Sequence, residues 1–176
     1  MVRRQCGDEM ISKDQMMDVL LDACPSFRPT WDAFRDDWKT SANDLPHYLA
    51  LADLARHLIG MLERSDTESF AAIFQVVERL QLEGDDYVQE AAVVGLLEDL
   101  QNRKLHSTTE PQQFLPFLGM ESSKAWDQFY AFWQKVSAMK EQGLLKSGLS
   151  TSLQIDSNSI QDPELRKLVQ QINRQG

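Results

Sequence analysis

Cysteine is scarce in this chain of 176 residues: Cys6 and Cys24 are the only two, with neither metal-knuckle nor redox spacing. They read as free thiols, Cys24 buried and Cys6 incidental, which fits a reducing, cytoplasmic setting. The three histidines, His47, His57 and His106, form no i, i+4 pair and no H-E-x-x-H pattern, which removes the usual zinc-hydrolase signature. His57 follows Asp53 by four residues, so a surface His–Asp contact is the expected use of that ring. There is no Gly-rich phosphate loop, no G-x-S-x-G elbow and no C-x-x-C, so no catalytic residue, cofactor or metal is expected. No apolar run approaches the roughly 18–20 residues of a membrane span. The stretch Met1–Glu9 is charged with no apolar segment behind it, so no secretory signal is expected. An alternating run of β-branched residues is missing too, which leaves helices as the only periodic signal.

Positive charge is also in deficit. The net charge is −9, and it is unevenly spread. Residues 1–42 carry 6 basic and 8 acidic groups, residues 43–110 carry 5 and 13, and residues 111–176 carry 7 and 6, giving −2, −8 and +1. An acidic middle repels phosphate backbones and anionic lipid, so neither nucleic acid nor a membrane is an expected partner, whereas a basic protein is.

What the chain does have is tryptophan in a repeated setting. Trp31-Asp32-Ala33-Phe34-Arg35-Asp36-Asp37-Trp38 and Trp126-Asp127-Gln128-Phe129-Tyr130-Ala131-Phe132-Trp133 both read W-D-x-F-x-x-x-W and hold all four tryptophans. Seven residues is close to two helical turns, so Trp31, Phe34 and Trp38 share one helix face, as do Trp126, Phe129 and Trp133. Two core-facing helices are the expected outcome, with an aromatic ligand or partner groove as the functional alternative.

The remaining pattern is helical throughout. Ser12 and Gln15 have capping-box spacing ahead of Met16, Met17, Leu20, Leu21 and Cys24, and Pro25 stops that helix. Asp44 and Pro46 open a helix with Tyr48, Leu51, Ala52, Ala55, Leu58, Ile59 and Leu62 on one face. After a break at Ser65-Asp66 come Phe70, Ile73, Phe74, Val77 and Leu80; after Gly84-Asp85 come Val88, Ala91, Ala92, Leu96 and Leu100. Short connections make these three helices expected antiparallel neighbours. Thr109 is the expected N-cap of a short helix through Phe114 and Leu118, and Ser122 or Ser123 of the second Trp helix, which runs toward Gly143. The organisation is thus an N-terminal arm (1–11), one all-α helical bundle (12–143), a Ser/Gly-rich linker (144–161) and a short amphipathic C-terminal helix (162–176). Leu165, Leu168, Val169 and Ile172 stripe that last helix, which is expected to dock on the body, with docking onto a partner or onto a second copy as a homodimer the alternative.

Two local features bear on function. Val88-Gln89-Glu90-Ala91-Ala92-Val93-Val94-Gly95-Leu96 with Leu100 resembles the second helix of a HEAT repeat, with Gln89 where that repeat usually carries Arg. Only one copy is visible, so an αα-hairpin middle is expected and a solenoid is not. Glu83, Asp85, Asp86, Glu90, Glu98 and Asp99 fall in a segment with no basic residue and form the candidate face for a basic partner. Asp85 and Asp86 suit a helix N-terminus; Glu98 and Asp99 oppose the dipole at the other end and lack that rationale.

Leu45-Pro46-His47-Tyr48-Leu49-Ala50-Leu51-Ala52-Asp53-Leu54-Ala55, Gly95-Leu96-Leu97-Glu98-Asp99-Leu100-Gln101-Asn102 and Phe117-Leu118-Gly119, with the Trp helices, carry a further likeness. Over roughly residues 27–135 the chain resembles an uncharacterised bacterial family of small acidic helical proteins, similar in size and acidity to immunity proteins of toxin systems. The resemblance implies an all-α fold and carries no catalytic motif. The expected function is a non-enzymatic protein-binding module, an immunity-type inhibitor of a basic toxin. The alternatives are an enzyme or small-molecule binder using the Trp-lined helices, and a structural or oligomeric subunit. Asp32 and Asp127 follow their tryptophans directly and so leave the Trp face, which weakens a pocket shared with either carboxylate.

Overall fold

Ser12 starts the first helix as its spacing predicts: Gln15 Oε1 accepts from the Ser12 backbone N–H at 2.9 Å and from its hydroxyl at 3.1 Å. The structure, a computed structural model, describes residues 10–39 and 45–141, with side chains as far as residue 138. Cys6, most of the N-terminal arm, Asp44, Gly143, the 144–161 linker and the 162–176 helix lie outside the described residues. The described residues form seven α-helices: α1 Lys13–Ala23, α2 Arg28–Asp37, α3 His47–Glu63, α4 Phe70–Glu83, α5 Asp86–Glu90, α6 Glu98–Gln101 and α7 Met120–Glu141. The protein is all-α. Two compact units divide the chain, Met1–Asp127 and Gln128–Gly176.

In the first unit the apolar stripes meet in one core. Phe70, Ile73, Phe74, Val77 and Leu80 of α4 are all fully buried, as their spacing requires. In α3 the buried face is broader than expected, taking in Ala50, Leu54 and Met61, while Tyr48, Ala52 and Leu62 are only half-buried. The pairing of helices also differs. Rather than three successive neighbours, α3 packs chiefly against residues 91–101, and α4 against α1 and α5. A backbone clasp fixes the second pairing: Ile11 N–H donates to Glu83 O at 2.8 Å and Asp85 N–H to Ile11 O at 3.0 Å. Gly84 sits inside that clasp, where a Cβ would lie 2.4 Å from Leu80 O and 2.5 Å from Val88 Cγ1.

The helix after Gly84 is not a continuous α-helix. Asp85 caps it, accepting from Val88 N–H at 2.9 Å, and Asp86–Glu90 is α-helical, but Ala91–Leu97 winds as a π-helix before α6. The cause can be read from register. Val88 and Asp99 are eleven residues apart, close to three α-turns, so an unbroken α-helix would aim Asp99 at the core beside Val88. The wider π turns rotate less per residue and bring Leu97 and Leu100 inward instead, both fully buried.

Two further starts differ from expectation. Thr109 is not a cap: it is buried, 2.9 Å from His106 Nδ1, while Glu110 precedes Pro111 and its N–H donates to Gln113 Oε1 at 2.8 Å. The helix from Pro111 to Phe117 is 3₁₀ and contains Pro116, which has no N–H to continue an α ladder. Its Phe114 ring lies 5.7 Å from both Phe70 and Phe74. Neither Ser122 nor Ser123 opens α7, which begins at Met120. Its first donors are met from α4: Glu78 accepts from the backbone of Glu121 at 2.7 Å and from the backbone and hydroxyl of Ser122 at 3.0 and 2.8 Å.

At the other end of α3, Asp66 N–H donates to Met61 O and Ser65 N–H to Leu62 O, both at 2.9 Å, the Schellman pattern. Ser65 has φ 60°, a left-handed conformation that glycine enters freely and serine does not. Replacing Ser65 with Gly is therefore expected to raise stability by about 1 kcal/mol, read as a higher urea midpoint at unchanged slope; an unchanged or lower midpoint contradicts strain at this turn.

Candidate functional site: an aromatic ribbon with an acidic rim

Pro29 near the start of α2 aligns the first W-D-x-F-x-x-x-W stretch with the opening of α3. Trp31 is buried and stacks on Phe34, ring centres 5.8 Å apart and planes at 12°. Phe34 in turn lies 6.1 Å from Trp38, and both of these are only half-buried. On the other side Trp31 is 6.3 Å from His47, the first residue of α3. His47 meets Tyr87 of α5 edge to face at 6.2 Å, and Tyr87 meets Tyr48 the same way at 5.7 Å. The result is a continuous ribbon, Trp38–Phe34–Trp31–His47–Tyr87–Tyr48, built from three helices. Tyr48 and Tyr87 are half-buried, and Leu49 beside them is about half exposed.

Polar groups edge this ribbon. Tyr48 donates its hydroxyl proton to Glu90 at 3.1 Å, and the Lys13 ammonium lies 4.7 Å above the Tyr87 ring centre. Asp32, Asp36, Asp37 and Asp86 are exposed, Asp36 being 2.6 Å from Lys39. Ring faces attract cations through their quadrupole, and half-exposed Trp and Tyr supply large contact area at small entropic cost. Such a surface suits recognition of another protein, above all one that presents lysine or arginine.

The second Trp stripe divides between the two units. In the first, Trp126 is buried and its carbonyl accepts from Gln101 Nε2 at 2.9 Å. In the second, Phe129 and Phe132 are buried, Trp133 is half-buried, and the Phe132 and Trp133 rings meet at 5.3 Å.

The six acidic candidates have separate duties. Glu83 takes two hydrogen bonds from Arg79, at 3.1 and 2.9 Å. Asp85 is the cap already described, Asp86 is exposed, and Glu90 belongs to the ribbon edge. Glu98 and Asp99 lie about 10–13 Å beyond Glu90 along the helix axis and are half-buried. Burial, then the neighbouring Asp99, pushes Glu98 up to about 7. Asp99 is likewise raised by burial, against the opposing pull of Arg56. Because protonation is favoured at Glu98, its unfavourable interaction with the helix C-terminal dipole is reduced at neutrality.

Among the histidines, His106 is a satisfied core residue. Its Nε2–H donates to Leu100 O and Nδ1 accepts from the Thr109 hydroxyl, both at 2.9 Å. His57 does not use Asp53, which pairs with Arg56 at 3.0 Å. Its Nε2 is instead 2.9 Å from Ser26 Oγ, across thirty-one residues of sequence. Nothing in the local spacing marks that contact, because the Pro25–Phe27 turn carries Ser26 to α3.

The chain belongs to a family defined by a domain of unknown function (DUF7674), whose profile matches residues 17–134. That span takes in α2–α6 and the whole ribbon, while Lys13 at the ribbon's edge lies outside it. No curated protein and no solved structure matches the chain significantly.

Among the described residues no helix is long and apolar enough to cross a membrane. Glu98 yields a pH prediction. Its folded-state pKa, about 7, lies above the usual 4.5, so its contribution is most favourable below pH 4.5 and is lost as pH rises through 7. Glu98→Gln is expected to match the parent near pH 4 and to exceed it at pH 8 by up to about 3 kcal/mol in urea unfolding. A difference independent of pH contradicts the assignment.

Proposed function

We propose that this protein is a non-enzymatic protein-binding module, of the immunity-inhibitor kind, that captures a basic cognate toxin. The observation that carries the reading is the ribbon from Trp38 to Tyr48, in which buried Trp31 and His47 join the half-buried rings of Trp38, Phe34, Tyr87 and Tyr48, with carboxylates at the border. Aromatic anchors of this type dominate binding energy at interfaces, and an acidic border speeds capture of a basic partner. The charge of −8 in residues 43–110 supports the same polarity. Lys13 over Tyr87 illustrates the contact that a partner's lysine or arginine would make on neighbouring ring faces. An inhibitor of this kind works by covering its target, so it needs shape and charge complementarity and no reacting group.

The test is co-expression with the product of the adjacent gene. The neighbour is expected to arrest growth alone and to be neutralised by this chain, with an association rate that falls as salt rises. Trp38→Ala and Tyr87→Ala are each expected to weaken the complex by about 2 kcal/mol or more while leaving the helical circular dichroism signal unchanged. A neighbour that is harmless, or that binds both variants as well as the parent, overturns the proposal.

A further inference from the structure

Ser26 Oγ is a meeting point for two sulfur atoms and an imidazole nitrogen. It lies 2.9 Å from His57 Nε2, 3.5 Å from Cys24 Sγ and 3.9 Å from Met61 Sδ. The convergence is built by the fold. Pro25 ends α1 and forces the Pro25–Phe27 turn, which sets Cys24 and Ser26 against α3. His57 and Met61 are four residues apart on α3 and therefore share a face. Phe27 packs edge-on against the His57 ring at 5.5 Å and restrains its orientation.

We infer that Cys24, His57 and Met61 form a three-donor site for a soft monovalent cation of the Cu(I) class, with the Ser26 hydroxyl standing where the ion would sit. A thiolate, a thioether and an imidazole are the donor set that such an ion selects; zinc does not take the thioether. Cys24 and Met61 are buried whereas Ser26 is exposed, so rotation of one small side chain opens the donors to solvent. Metal–donor bonds of roughly 2.0–2.3 Å require His57 and Cys24 each to close by about 1 Å and Met61 by about 1.5 Å, the longest movement falling to the unbranched Met61 side chain. Burial and nearby Arg64 hold the His57 pKa below its usual value, against the opposing effect of Asp66, which favours the neutral ring that ligation requires. The binding step balances without redox chemistry. The Cys24 thiol releases its proton to solvent, the sulfur–metal bond forms, and the thiolate charge cancels that of the ion. No linear motif marks the site, because its donors come from the end of α1 and the middle of α3.

The test uses the full chain carrying Cys6→Ser, so that Cys24 is the only thiol. Under anaerobic conditions Cu(I) is titrated in competition with a chromophoric chelator of known affinity. One equivalent is expected to bind, with affinity reduced at least tenfold in Met61→Leu and in His57→Gln. Ser26→Ala is expected to bind as tightly or more tightly, and Zn(II) not to compete. Met61→Leu conserves volume, and its circular dichroism is expected to match that of the parent. Failure to bind Cu(I), or binding that Met61→Leu and His57→Gln leave unchanged, overturns the inference.

Discussion

The close approach of α3 to the π-wound segment Ala91–Leu97 is the constraint on which the other arrangements depend. At Gly95 a Cβ would come within 2.9 Å of Leu51 Cδ1 and 3.2 Å of Tyr48 Cδ1, so the two helices meet where one of them has no side chain. Ala91 and Ala92 of the π-wound segment and Leu51, Leu54 and Leu58 of α3 are all fully buried. Burying leucines of this kind contributes about 1.5–3 kcal/mol each. The same approach holds Tyr48 within reach of Glu90 and Tyr87, so the packing that makes the core also assembles one end of the aromatic ribbon.

Much of this was legible from spacing. The stripe of α4, the Ser12–Gln15 cap and the breaks at Ser65-Asp66 and Gly84-Asp85 follow from rules that act over one or two turns. What spacing could not supply is whatever depends on partners distant in sequence. The N-terminus of α7 is held by Glu78, about forty residues earlier, and so starts before the serines that a local rule selects. The π-helix did leave a trace: Val88 and Asp99 stand three α-turns apart, one apolar and one acidic, a register conflict that only a change of winding relieves.

The candidate site was partly legible in the same sense. The W-D-x-F-x-x-x-W spacing identified Trp31, Phe34 and Trp38 as one face, but their union with His47, Tyr48 and Tyr87 requires three helices to be in place. The acidic segment looked uniform as a string and is not uniform in space. Glu83 and Asp85 are engaged within their own helices, Glu90 by Tyr48 of α3, Asp86 is exposed, and Glu98 and Asp99 sit where desolvation raises their pKa values. The pairing of His57 with Ser26 gave no signal at all, since it rests on a turn that proline imposes.

The α3–π seam is expected to be the most stable part of the first unit, and α2, with half-buried Phe34 and Trp38, a less protected attachment to it. Native-state amide hydrogen exchange tests this directly. Amides of α3 and of residues 91–100 are expected to exchange only through global unfolding, at the free energy that urea denaturation gives, while those of α2 exchange through local opening at lower free energy. Protection of α2 equal to that of α3, or early exchange at residues 91–100, would contradict it.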